Sequence, residues 1–141
     1  MLFMWNYGSG RGQVHGPNGT FELPDGAVKM PDAAWISPAQ LALTEEDNED
    51  EYMSVVPDFV AEIRSKTDRL ANLQQKMTES WMANGVKLAW LIDPYEEVVY
   101  VYQANMDITQ LKGFEGKTLS GEPILPGFVL DLEVMRQKKR G

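Results

Sequence analysis

Phe59-Val60-Ala61-Glu62-Ile63-Arg64-Ser65 and, further on, Val86-Lys87-Leu88-Ala89-Trp90-Leu91-Ile92 are the two stretches whose reading decides the fold. Both are apolar runs rich in β-branched or aromatic residues, as a buried strand requires. The first extends back to Val55, with Pro57 near its start, so a strand is expected over residues 55–65. Between the two runs, Leu70, Leu73, Met77 and Trp81 recur at helical spacing. Thr67 or Asp68 can cap that helix, and Asn84-Gly85 is a good stop. The pattern predicts a helix over residues 68–83 that crosses from one strand to the next.

Outward from this unit the chain reads as short strands and turns. Residues 20–23 alternate and meet Pro24-Asp25-Gly26, a turn, after which residues 27–30 begin a second short strand. Asp32-Ala33-Ala34-Trp35-Ile36-Ser37 reads as a buried strand ended by Pro38, and residues 38–43 open a short helix. Downstream, Asp93-Pro94-Tyr95-Glu96 turns the chain into an alternating strand over residues 97–103. Weaker strand signals lie near 108–111 and at 128–132. The expected class is α/β, with a mixed sheet and flanking helices. The expected domain covers residues 20–135, after a Gly-rich segment at 1–19 read as loop and before a basic tail at 136–141.

With 141 residues the chain suits one domain with its own core. It has no cysteine, which excludes disulfides, thiolate metal sites and cysteine nucleophiles. The apolar start Met1-Leu2-Phe3-Met4-Trp5 is too short for a signal peptide or a membrane span. The cytosol, with no membrane contact, is therefore the expected compartment. The same stretch reads as an exposed remnant of a helix that favours self-association, so a homodimer is expected. Net charge is −8, unsuited to a broad grip on phosphates. Six of the acids sit in the run from Glu45 to Glu51, a solvated stretch, and without them the balance is −2. The glycines of residues 1–19 match neither a dinucleotide fingerprint nor a phosphate loop.

Glu62 and Arg64 are two apart on a strand, so they share a face. An internal ion pair is the plain account of such a pair on a buried strand. A second acid adds another reading. Asp32 opens the preceding strand, and consecutive strands usually neighbour, so Asp32 and Glu62 can face each other within reach of one divalent cation. Asp58 lies four residues from Glu62, roughly 13 Å along a strand, too far to share that cation. It reads as an edge or turn residue after Pro57. The lone histidine, His15, reads as a surface residue of the Gly-rich loop, and Ser9 as a loop serine. Trp35, Trp81 and Trp90 read as core, since no basic residues interleave with them as base-stacking platforms need.

Taken in order, Met30-Pro31-Asp32-Ala33-Ala34-Trp35-Ile36-Ser37, Pro57-Asp58-Phe59-Val60-Ala61-Glu62-Ile63-Arg64-Ser65-Lys66-Thr67-Asp68, Leu73-Gln74-Gln75-Lys76-Met77, Asn84-Gly85-Val86-Lys87-Leu88-Ala89-Trp90-Leu91-Ile92-Asp93-Pro94 and Leu125-Pro126-Gly127-Phe128 resemble the Uma-type restriction endonucleases, a branch of the PD-(D/E)xK nuclease superfamily. The resemblance spans about residues 20–132. It implies a restriction-endonuclease-like fold and an endonuclease that hydrolyses DNA phosphodiester bonds with Mg²⁺ or Mn²⁺. Asp32 would match the acid of the second motif and Glu62 that of the third, both as metal ligands. Arg64 fills the slot where the superfamily has a water-polarising lysine. Arginine can stabilise charge but cannot act as a base. In this branch the lysine can come from the following helix, which makes Lys76 its candidate, with Gln75 beside it. The superfamily's first-motif acid, on an N-terminal helix, has no match in this chain, and Glu22 is a poor substitute. The expected domain is therefore N-terminally shortened, with a catalytically inactive interaction or dimerisation module as the alternative function.

Overall fold

The two apolar runs pair with each other and form the middle of the sheet. In the computed structural model, which describes residues 12–43 and 53–136, the first is the strand β5 (Phe59–Ile63) and the second β6 (Leu88–Asp93). They run parallel, with Ala61 opposite Trp90 and Glu62 opposite Leu91. Every residue of β6 is buried, which is why its sequence does not alternate. Around this pair lie β1 (Gln13–His15), β4 (Ala33–Ile36), β7 (Val98–Gln103) and β8 (Thr109–Lys112), in the order β1-β4-β5-β6-β7-β8. All other neighbours are antiparallel, so the sheet is mixed.

A parallel pair needs a crossover, and the expected helix supplies it. Helix α2 spans Leu70–Lys76 and continues as a π-helical turn over Met77–Met82, closed by the Ala83 amide donating to the Thr78 carbonyl at 3.1 Å. Met77 and Trp81 enter the core from this turn, and Leu70 and Leu73 pack at its rim. The cap differs from expectation. Arg69 stands at the N-cap without a side-chain bond, because the Asp68 carboxylate is already spent on the amide and hydroxyl of Ser65, at 2.8 and 2.7 Å. The short helix α1 (Pro38–Leu41) is capped by Ser37, whose hydroxyl accepts from the Gln40 amide at 3.2 Å.

The sheet buries both faces. The crossover covers one, packing on Ala34, Val60, Ala89 and Leu91 together with Phe21 from the hairpin of β2 (Phe21–Glu22) and β3 (Val28–Lys29). The other face carries Phe59, Ala61, Trp90 and Ile92 under the ribbon of β9 (Thr118–Ser120) and β10 (Val129–Asp131) and the 3₁₀ turn Leu132–Met135. Among the described residues no helix is long and apolar enough to cross a membrane.

Two parts of the sequence reading need correction. Residues 13–15, read as loop, are the edge strand β1, with Val14 opposite Trp35. The glycine beside it is needed for close approach: a Cβ on Gly12 would lie 2.4 Å from the Ile36 carbonyl oxygen, and its φ is +70°. The strand β9, between Gly116 and Gly121, gave no pattern because three residues are too few for one. Met1–Trp5, the acidic run at 45–51 and the tail beyond Arg136 lie outside the described residues.

Candidate active site

The register of β4 on β5 decides where the acids fall. Ala33 pairs with Ala61 in antiparallel fashion, so the next position out sets Asp32 opposite Glu62. Each carboxylate then takes a backbone amide from the opposite segment of chain. The Asp32 amide donates to Glu62 Oε1 at 3.1 Å, and the Ile63 amide donates to Asp32 Oδ2 at 2.6 Å. Asp32 is exposed, whereas Glu62 is 4% exposed. Helix α2 ends above them, and its last residue, Lys76, forms an ion pair with Glu62 Oε2. That oxygen is shielded from solvent and has no other partner among the described residues. The sequence reading thus named three residues that do come together: Asp32, Glu62 and Lys76.

Burial pushes the Glu62 carboxyl above its ordinary value of 4.5. The Lys76 ammonium opposes that rise, the Asp32 charge adds to it, and the Asp32 amide opposes it again. A carboxyl raised on folding stabilises the fold below its unfolded value, and that contribution is lost as pH climbs through the raised value. In metal-free protein, Glu62→Gln is therefore expected to gain on wild type as pH rises above the ordinary glutamate value. Urea midpoints of both proteins from about pH 4 to about pH 8 measure it. A pH-independent difference would mean that burial does not raise the Glu62 carboxyl.

Arg64 does not pair with Glu62, although both lie on one face as expected. Its Nη1 donates to Asp93 Oδ2 at 2.9 Å, and its Nε to the Asp68 carbonyl at 3.3 Å. Glu62 on β5 and Arg64 just past its end thus have separate partners, Lys76 from the helix and Asp93 from β6. The sequence reading missed Asp93 by assigning it to the turn. It is the last residue of β6 and fully buried, and its Oδ1 accepts the amides of Tyr95 and Glu96 at 3.0 and 3.2 Å. The available signal was an acid ending an unbroken apolar run. Asp58 is likewise buried, not an edge residue. It lies just before β5, at the far end from Glu62, accepting from the Ser37 amide at 2.6 Å and from Lys87 Nζ at 3.1 Å. Gln75 points to Glu79 at 2.9 Å. His15 lies on β1, its ring 5.8 Å from Phe21, half-buried and with its pKa lowered by that burial.

Among the described residues no group of three or more His, Asp and Glu converges. Asp32 and Glu62 are the pair available to a cation, one facing solvent and one inside. Two hard carboxylates suit an ion that keeps water and phosphate oxygens as its remaining ligands, as Mg²⁺ and Mn²⁺ do.

The Uma2 family, described as "Putative restriction endonuclease", matches residues 1–133. The chain belongs to the Uma2 family. Among solved structures this Uma2 chain is similar to a crystal structure of a "putative nuclease belonging to DUF820" from Anabaena variabilis ATCC 29413. The TM-score is 0.78 at 16% identity, over 95% of this chain and 73% of that one. That likeness shows the fold: an α/β, restriction-endonuclease-like mixed sheet. A looser likeness, TM-score 0.48 and 14% identity, is to the cryoEM structure of the DrdV–DNA complex, over 79% of this chain and 9% of that one. Curated protein sequences gave no match. Membership of Uma2 supports a nuclease function, and the site geometry bears on what kind.

Proposed function

We propose that the chain is a metal-dependent endonuclease that hydrolyses DNA phosphodiester bonds, with Asp32 and Glu62 holding Mg²⁺ or Mn²⁺. The observation that carries this reading is the convergence of two cross-strand carboxylates and one lysine at the end of the sheet. When bound, the cation supplies a Lewis acid and lowers the pKa of a bound water. Asp32, on the solvent side, keeps one oxygen on the Ile63 amide and offers the other. Glu62, inside, is held in a fixed rotamer by the Asp32 amide. Lys76 gives up Glu62 Oε2 as the site is loaded, and its ammonium turns to the scissile phosphate, where it stabilises developing negative charge. Lys76, not Arg64, takes the lysine role in this proposal, because Lys76 is paired with Glu62 itself whereas the Arg64 guanidinium is held away from that carboxylate by Asp93. One such site cuts one strand, so cleavage of a duplex would use two copies of the chain.

Calorimetric titration with Mn²⁺ of wild type, Asp32→Ala and Glu62→Ala tests this, together with cleavage of duplex DNA. Binding by wild type and its loss in both variants is the expected result. One observation favours an inactive interaction module instead: no third carboxylate joins the pair among the described residues. A folded wild type that neither binds Mn²⁺ nor cuts DNA would decide for that second reading.

A further inference from the structure

The fully buried charge of Asp93 has no part in the site as described, and burying a carboxylate is costly unless every oxygen is engaged. In Asp93 each is. Oδ1 takes the Tyr95 and Glu96 amides, and Oδ2 takes Arg64 Nη1 at 2.9 Å. Arg64 in turn touches three elements. Its backbone amide donates to the Ile92 carbonyl of β6 at 2.9 Å, its Nε to the Asp68 carbonyl in the loop that enters α2 at 3.3 Å, and its Cζ lies 5.9 Å from the Tyr95 ring centroid. From Leu70 the helix runs roughly 9 Å, at 1.5 Å per residue, before it presents Lys76 to Glu62.

We infer that the Arg64–Asp93 pair is a brace that fixes the entry of α2 against the ends of β5 and β6, and so positions Lys76 over Glu62. Arg64 is on this account a positioning residue with no contact to substrate. The inference rests on the nuclease reading above for its kinetic consequence, though not for its structural one. A planar guanidinium can bond Asp93 and the Asp68 carbonyl at once, whereas a lysine ammonium on its flexible stem is a poor substitute for that fork. Misplacing a catalytic group by about 1 Å can cost about 10²-fold in rate.

The test compares Arg64→Met, Arg64→Lys, Asp93→Asn and the Arg64→Met/Asp93→Asn double variant. Asparagine keeps the side-chain oxygen that accepts the Tyr95 and Glu96 amides. Two readouts are taken: kcat and KM for Mn²⁺-dependent DNA cleavage, and hydrogen exchange of the amides of residues 70–76. The expected result is a fall in kcat of about 10–100-fold in each single variant, with little change in KM and no further fall in the double variant. Arg64→Lys should not restore the rate, and the α2 amides should exchange faster while those of β6 and β7 stay protected. A much larger loss in Arg64→Met than in Asp93→Asn, with recovery in Arg64→Lys, would overturn the brace and put Arg64 on the phosphate. Unchanged kcat with unchanged exchange in α2 would reduce the pair to an ordinary structural one. If wild type cuts no DNA, the nuclease reading fails by itself. Exchange then decides the brace: faster α2 exchange in both single variants supports it, and unchanged exchange overturns it. Should Asp93→Asn not fold, Arg64→Met read against Arg64→Lys decides alone.

Discussion

Lys76→Met is expected to keep Mn²⁺ binding while slowing DNA cleavage by about 10²–10³-fold, the usual cost of removing one preorganised charge-stabilising group. The two effects separate because of where Lys76 sits. Its ammonium is paired with Glu62 Oε2, the oxygen a cation would also use. Removing the ammonium therefore leaves the metal ligands in place and removes a competitor, so Mn²⁺ affinity should hold or rise. Stability should fall, because a 4%-exposed carboxylate is left without its counter-charge. The Lys76 side chain is 27% exposed, so solvent screens the pair and moderates that fall. Calorimetry and cleavage rates on one preparation check both halves. Cleavage at the wild-type rate would remove Lys76 from the mechanism. Loss of Mn²⁺ binding would mean that the lysine shapes the metal site itself.

Trp90→Ala is expected to cost about 3–5 kcal/mol, the range for deleting a buried aromatic side chain. Against a total stability of about 5–15 kcal/mol this leaves a marginal protein. Trp90 is 1% exposed at the middle of β6, edge-on to Phe59 at 4.9 Å and stacked near Phe128 at 6.1 Å. It also lines a cavity of about 120 Å³ with Ala61, Ile63 and Leu130 among its neighbours. The void left by the substitution would join that space, and β-strands held on both sides cannot close it. Trp90 lies opposite Ala61, next to Glu62, so the loss should reach the site as well. The shift in urea midpoint gives the value. A cost below about 1 kcal/mol would mean that the ribbon of β9 and β10 collapses onto the sheet and refills the space.

The middle of this fold was legible because its signals are strong and local. Residues 88–92 form an unbroken apolar run, residues 59–63 form one interrupted only by Glu62, and Leu70, Leu73, Met77 and Trp81 mark one helical stripe. The site was partly legible for the same reason: once two neighbouring strands are read, Asp32 and Glu62 follow from alternation and pairing. That Lys76 reaches Glu62 did not follow from periodicity. It came with the resemblance to Uma-type nucleases, since nothing in a helix's own pattern says which lysine leans onto a carboxylate. The partner of Arg64 was hidden because Asp93 belongs both to β6 and to the turn after it, and a residue followed by Pro-Tyr-Glu reads as turn. The edge strand β1 was hidden by the glycines that flank it, which signal a loop by composition, although Gly12 serves a close approach to β4 in the folded chain. The Asp68 cap failed because a nearer donor, Ser65, competed for the same carboxylate.

The order of strands in the sheet bears on how this protein comes together. β6, β7 and β8 follow one another along the chain and pair in that same order, so they are closed by short turns. Asp32 and Glu62 meet only when β4 folds back on β5 across 30 residues, and Lys76 joins only when the crossover has delivered β6 alongside β5. Closing those longer loops costs more chain entropy, so the local meander has the kinetic advantage. The candidate site would then be complete only late in folding. A cation that needs both carboxylates could not template the early meander, and would act chiefly by slowing the finished protein's escape from its native state.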